Sequence, residues 1–316
     1  MWTARELGEQ LLALNLRAHD LLGIALFFVG ELAPTLAYLE QGLALYNPQK
    51  HRSHAFRATQ DPGAACLTYA ALVLWLLGYP DRALQRSQQA VTLVQEVAHS
   101  LSLACALDYT AMFHQYRREG QASQACAEAA IALSAEQGSV VYLAHGMVQR
   151  GWALAEQGQT EEGVTQIGSG LGAWRTTGAE VQRPYYLALL AETYGKSGQA
   201  EEGLHVLTEA LALVARTGEC WWEAELHRLT GELLLRHTVS EVPKAEARFQ
   251  DALAVARRQQ AKSLELHAAL SLSRLRQRQG KRTEARELLA PVYSWFTEGF
   301  DTADLCDARA LLEELA

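Results

Sequence analysis

Apolar and polar positions recur along this chain with the period of α-helices, and the helices come in pairs. Seven times an apolar helical segment runs into a tight turn, usually marked by glycine, and then into a second helical segment. The turns are expected at Gly30, Gly78, Gly120, Gly158, Gly198, near Ser240 and at Gly280, with spacings of 48, 42, 38, 40, 42 and 40 residues. A fixed period of this size is the mark of a helical solenoid.

Other positions repeat in register with the turns. Five residues after each stands a small side chain: Ala83, Ala125, Gly163, Gly203, Ala245 and Ala285, with Thr35 in the first copy. Twelve after it stand Gly42, Ala90, Ala132, Gly170, Ala210 and Ala252, broken only by Val292. Between them, nine after the turn, the residue is mostly larger: Leu39, Ser87, Ala129, Ile167, Leu207, Phe249 and Leu289. The two small positions share one helix face, where they let a neighbouring helix approach closely around the bulkier residue.

This spacing resembles the tetratricopeptide repeat (TPR), a helix hairpin of about 34 residues, with units here about six residues longer. The expected architecture is all-α: residues 1–316 form one right-handed superhelical solenoid of about seven TPR-like hairpins with a roughly 40-residue period. Residues 302–316, with Asp304, Asp307, Arg309, Glu313 and Glu314, are expected to cap its C-terminal end. Strand signals are sparse, and the 316-residue length suits a core that extends lengthwise.

Composition narrows the setting. The longest uninterrupted apolar stretches, Leu21 to Val29 and Ala70 to Leu77, fall short of the roughly 20 residues a bilayer crossing needs. The first residues carry Arg5, Glu6 and Glu9 in place of a basic lead into an apolar signal core. Five dispersed cysteines without a C-x-x-C pair fit buried thiols in a reducing compartment. Together these predict a cytoplasmic protein without a membrane partner. The net charge is −8, yet between Arg257 and Arg286 nine basic residues face only Glu265 and Glu284. An acidic chain with one basic end is a poor default binder of nucleic acid, and the basic stretch reads as a solvated face.

Motifs that suggest chemistry dissolve in the repeat register. Gly168, Gly170, Gly172 and Ala173 satisfy a dinucleotide-type spacing but lie inside a second helix, with Gly170 in the recurring small slot. Gly195-Lys196-Ser197 lacks the earlier glycine of a phosphate loop, since position 190 is leucine. His51 and His54 have no Cys, Asp or Glu at ligand spacing. No metalloprotease or nucleophile-elbow motif is present. The expectation is a binding protein with no catalytic residues, cofactor or metal.

In a TPR solenoid the first helix of each hairpin lines the concave face, so the resemblance implies which side chains point inward. Positions about 13, 10, 6, 3 and 2 before each turn hold Trp75; His114, Arg117 and Arg118; His145 and Trp152; Tyr185, Glu192 and Lys196; His227 and His237; and His267, Arg274 and Arg278. Such a groove grips a protein or peptide by stacking and charge-assisted hydrogen bonds. The alternative is a small-molecule inducer in a closed pocket around Trp152, Tyr185 and His227, and an open or enclosed shape decides between them. Self-association through the terminal repeats is a further expectation, because exposed solenoid ends tend to pair.

Several stretches go beyond the generic repeat: Gln60 to Cys66, Leu74 to Leu84, Ala191 to Gly203, Arg258 to Leu266 and Pro291 to Asp304. They resemble the C-terminal repeat region of bacterial fusion proteins that join an adenylate or guanylate cyclase, or a kinase, to a STAND-type AAA ATPase. The resemblance runs from about Leu11 to Leu315. It implies a sensor or scaffold end coupled to an ATPase switch. It carries over no catalytic residue.

Overall fold

A computed structural model describes residues 4–48 and 60–316, and the side chains among them from Leu11 onward, apart from that of Val239. His51 and His54 lie outside the described residues. The described chain forms fifteen α-helices and one short 3-10 turn, with no strand. Helices α1 (Ala4–Phe28) and α2 (Leu32–Leu45) make the first hairpin, and α3 (Pro62–Leu76) and α4 (Pro80–Val97) the second. The next three pair α5 (Ser100–Tyr116) with α6 (Gly120–Gln137), α7 (Val140–Glu156) with α8 (Thr160–Thr176), and α9 (Arg183–Lys196) with α10 (Ala200–Thr217). Then come α11 (Glu223–His237) with α12 (Val242–Arg258), α13 (Lys262–Arg278) with α14 (Arg282–Ser294), and a terminal helix α15 (Ala303–Glu314).

Each tight turn needs a residue in the left-handed region, and glycine supplies it at Gly30, Gly78, Gly158, Gly198 and Gly280. The third hairpin differs from the expected register. Its left-handed residue is Arg118 at φ 62°, and Gly120 is the first residue of α6. In the sixth, α11 stops at His237 and a 3-10 turn at Val239–Glu241 lengthens the connection. Measured from where the first helices end, the period between the second and sixth hairpins is therefore steadier than the glycines suggest. A second series, Ala98, Gly138, Gly178, Gly218 and Gln260, takes the same conformation between hairpins.

The small slots do what their spacing predicts except in the third hairpin, where Ala125, Ala129 and Ala132 are exposed and Ser123, Ala127 and Ala130, two residues earlier, are buried in their place. A Cβ built on Gly163 would stand 2.6 Å from the Gly151 carbonyl oxygen, and one on Gly170 would stand 2.9 Å from that of Ala144. These approaches bring α7 and α8 into backbone contact and account for the glycine-rich segment as helix packing. Gly168 and Gly172 meet nothing within 4 Å. The first helix of the second hairpin is enclosed on all sides: every residue of α3 is buried, so its apolar run is core. Second helices bury one stripe: in α4 it is Pro80, Ala83, Ser87, Ala90, Val94 and Val97.

The solenoid curls until its ends meet. The Cys220 N–H donates to the Phe28 carbonyl oxygen at 2.9 Å, and the Ser263 hydroxyl donates to the Trp75 carbonyl oxygen. The Glu298 carboxylate accepts from the Asp81 and Arg82 N–H groups at 3.0 Å each, satisfying free donors in the first turn of α4. Phe27 and Trp221 meet inside, with ring centroids 4.7 Å apart. At the other extreme, α1 leaves Leu11, Leu14 and Leu21 more than half exposed. Leu11–Phe28 is the one helical span among the described residues long and apolar enough to cross a membrane, with Arg17 and Asp20 paired at 2.5 Å upon it. Across its charged pair it is longer than the uninterrupted apolar runs of the sequence.

Candidate functional site

Closure of the superhelix fills most of its hollow with aromatic side chains. Tyr116 stacks on Trp222 at 4.8 Å and 15°, and Tyr185 packs on Trp221 at 5.3 Å. What remains is a cavity of about 260 Å³ beside this cluster. First helices from six hairpins and the terminal helix all reach it, with Trp75, Gln115, Trp152, Glu192, Glu225, His267 and Asp304 as one contributor from each.

Seven of the inward residues expected from sequence come together here: Trp75, Arg118, Trp152, Glu192, Lys196, His267 and Arg274. The other seven lie elsewhere. His145 and Tyr185 are buried in the core, Tyr185 accepting from Gln149 Nε2 at 3.0 Å and donating to Gln115 Oε1 at 2.9 Å. His114 and Arg117 both turn to Glu119, at 2.6 and 2.8 Å. His227 lies beside Glu223 at 3.9 Å, and His237 and Arg278 are exposed outside the cavity.

The third and sixth hairpins supply the residues that the glycine register misses. Counting back from Arg118 instead of Gly120 places Gln115 and Tyr116 in the inward slots, and both line the cavity. The early end of α11 likewise shifts its slots from His227 to Glu225, Arg228, Glu232 and Arg236, all of them lining residues. The signal was the 40-residue step between Gly158 and Gly198, which extends to positions 118 and 238.

The wall is charged and internally paired. Asp307 receives Arg274 at 3.2 Å and Arg118 at 3.0 Å, and Arg118 also reaches Asp304 at 3.2 Å. His267 bridges Asp304 at 2.8 Å and Glu225 at 3.3 Å, and Glu225 holds Arg228 at 2.6 Å. Burial alone would lower the His267 pKa, but the two carboxylates outweigh it and hold it at about 9, so the ring is protonated at neutral pH. A separate trio joins Lys196 to Glu156 and, at 3.0 Å, to Glu192, whose other oxygen accepts from the Trp152 indole at 3.0 Å. Burial opposes the Lys196 charge, and Glu192 and Glu156 overcome it and raise its pKa.

The core behind the wall behaves oppositely. His145 lies 3.7 Å from Asp108, but burial pushes the imidazole down to about 3 and the carboxyl well above its ordinary value. Burial disfavours the charged form of both groups, which makes this a buried polar contact. Among the described residues no cluster of three or more His, Cys, Asp or Glu side chains could hold a metal ion. The cavity offers stacking, paired charge and hydrogen bonds, a chemistry of binding.

No protein-family model matches the chain. An uncharacterized protein of Rhizobium meliloti (strain 1021) is 28% identical over 212 residues, which are 66% of this chain and 20% of that protein. The chain therefore spans about a fifth of the length of the curated relative it matches. Among solved structures, a Rap protein complexed with competence and sporulation factor superposes at a TM-score of 0.60 with 12% identity, covering 97% of this chain and 98% of that one. The Rap conjugation gene regulator of plasmid pLS20, in complex with the Phr* peptide, gives 0.58 at 13% identity, covering 98% and 76%. Aspartyl phosphate phosphatase F from Bacillus subtilis gives 0.56 at 11%, covering 92% and 72%. The fold is a TPR-like solenoid. At these identities the likeness speaks for the fold, and function rests on the cavity.

Proposed function

We propose that this chain is a non-catalytic regulatory module of the TPR type that seats a compact ligand, or the end of a peptide, in its central cavity. The observation that carries this reading is the convergence of six hairpins and the terminal helix on one site. A ligand there touches distant parts of the ring at once, so occupancy biases the closure of the whole superhelix. The filled hollow favours a small inducer or a peptide terminus over a long peptide threaded along a groove. Fold relatives solved with a bound peptide or factor support the peptide form of the reading.

The resemblance to cyclase, kinase and STAND ATPase fusion proteins supplies the setting, a cytoplasmic sensor or scaffold that reports occupancy to an attached switch. Native mass spectrometry of the protein recovered from its own cytosol tests the proposal. A retained small molecule or peptide that is lost in Trp152→Phe is expected. An unliganded protein whose melting temperature no cytosolic fraction raises would sink it. Pairing of two copies over the exposed leucines of α1 is a separate part of the reading, and a concentration-independent monomer in light scattering removes it.

A further inference from the structure

The charges around the cavity do not cancel uniformly. Arg274, Asp307, Arg118, Asp304, His267, Glu225, Arg228 and Glu232 form one continuous run of ion pairs, four cations against four anions. That run is neutral with His267 protonated, and a net-charged ligand inserted there would strand a buried partner. The imbalance lies at the last turn of α9. Glu156 and Glu192 share the single cation Lys196, leaving one excess negative charge. Arg236, also in the wall, has no carboxylate partner among the described residues, and its Nη1 donates to the Gly195 carbonyl oxygen at 2.8 Å. The unmatched cation and the unmatched anion are thus held against adjacent residues, Gly195 and Lys196.

Apolar side chains share the wall with these groups. Leu229 and Leu233 line the same wall, and the Trp152 ring lies 5.6 Å beneath Lys196 Nζ. The missing side chain of Gly195 makes room: a Cβ there would stand 2.6 Å from Leu233 Cδ2 and 3.3 Å from Arg236 Nη1. The glycine lets the guanidinium and the leucine close over the helix end beside the cavity.

We propose that this corner binds a compact zwitterion of the α-amino-acid type, with its carboxylate on Arg236, its ammonium on Glu192 and Glu156, and its body against Leu229, Leu233 and Trp152. Two unmatched charges of opposite sign on the wall of one cavity call for a small ligand that carries both. A bidentate guanidinium–carboxylate pair fixes one end, and charge-assisted N–H donation to two carboxylates fixes the other. This class rests on the ligand-binding reading above and sharpens it.

The test uses the full chain and a panel of free amino acids, each with its N-acetyl and C-terminal amide forms, in calorimetry with tryptophan fluorescence as a second readout. At least one free amino acid is expected to bind, with either blocked form about tenfold or more weaker. Arg236→Gln and Glu192→Gln should each weaken binding by about the same factor, while Arg236→Lys keeps part of it. Far-ultraviolet circular dichroism of each variant separates lost binding from lost folding. Blocked forms that bind as well as the free amino acid overturn the proposal. So do peptides of about four residues or more that occupy the cavity when no free amino acid does, an outcome that leaves the binding module standing. If nothing from the panel, peptide pools or cytosolic extract binds, both readings fail.

Discussion

Gln259 Nε2 donates to the Cys220 carbonyl oxygen at 2.7 Å, fastening the end of α12 to the loop that itself bonds to the end of α1. Gly30 lies under this contact at φ +77°, and a Cβ there would stand 2.6 Å from Gln259 Nε2. Gly30→Ala should therefore cost about 2 kcal/mol or more, from left-handed strain plus a displaced seam. Gly158→Ala, at φ +90° with nothing within 4 Å, should cost only the strain, about 1 kcal/mol. Urea unfolding of the two variants measures the difference, and equal losses would show that the seam contributes nothing.

The protonated His267 makes stability depend on alkaline pH. Its pKa is about 9 in the folded protein against 6.5 unfolded, so its contribution is full below about 6.5 and is lost as pH rises through about 9. Stability should fall by on the order of 1–3 kcal/mol between pH 7 and pH 10. Asp304 and Glu225 act in the opposite direction: their pKa values are held low, and their contribution disappears as pH falls below the ordinary carboxylate range. His267→Gln should flatten the alkaline limb. A limb unchanged in that variant would place its origin elsewhere.

Tyr116 OH is buried and has no hydrogen-bond partner among the described residues. Removing an unsatisfied hydroxyl while keeping the ring relieves a desolvation cost of about 1 kcal/mol or more. Tyr116→Phe should match or exceed the parent in chemical denaturation and preserve the stack on Trp222. A clear loss would reveal that the hydroxyl is satisfied in solution.

Two glycines five residues apart on α8 test the packing of α7 on α8. Gly163→Ala pushes a methyl group toward the Gly151 carbonyl oxygen and should destabilise by about 2 kcal/mol or more. Gly168→Ala enters open space inside a helix and should stabilise by about 0.5–1 kcal/mol. Thermal melts decide it, and effects of the same sign would refute the assignment of the segment to helix packing.

The hairpins were readable in the chain because each is local: a small residue at a fixed step from a turn needs only its own neighbours. Trp152 and Glu192 were readable for the same reason, since their slots lie a set distance before Gly158 and Gly198. His114 and His227 were not, because a left-handed arginine and a lengthened turn moved the register by two residues in the third and sixth hairpins. Ring closure left no periodic trace at all. Glu298 reaching the start of α4, or Arg118 reaching Asp304, depends on curvature accumulated over several hairpins.

A string of repeats contacts only its neighbours and can shed its outer units one at a time. Joining the sixth and seventh hairpins to the first and second removes that freedom, because either end now holds the other in place. The seam includes pairs of residues from 188 to 217 positions apart, and contacts so distant in sequence carry a large loop-closure cost. It should form last in folding and part first in unfolding, and deleting one terminal hairpin should weaken hydrogen-exchange protection at the opposite end.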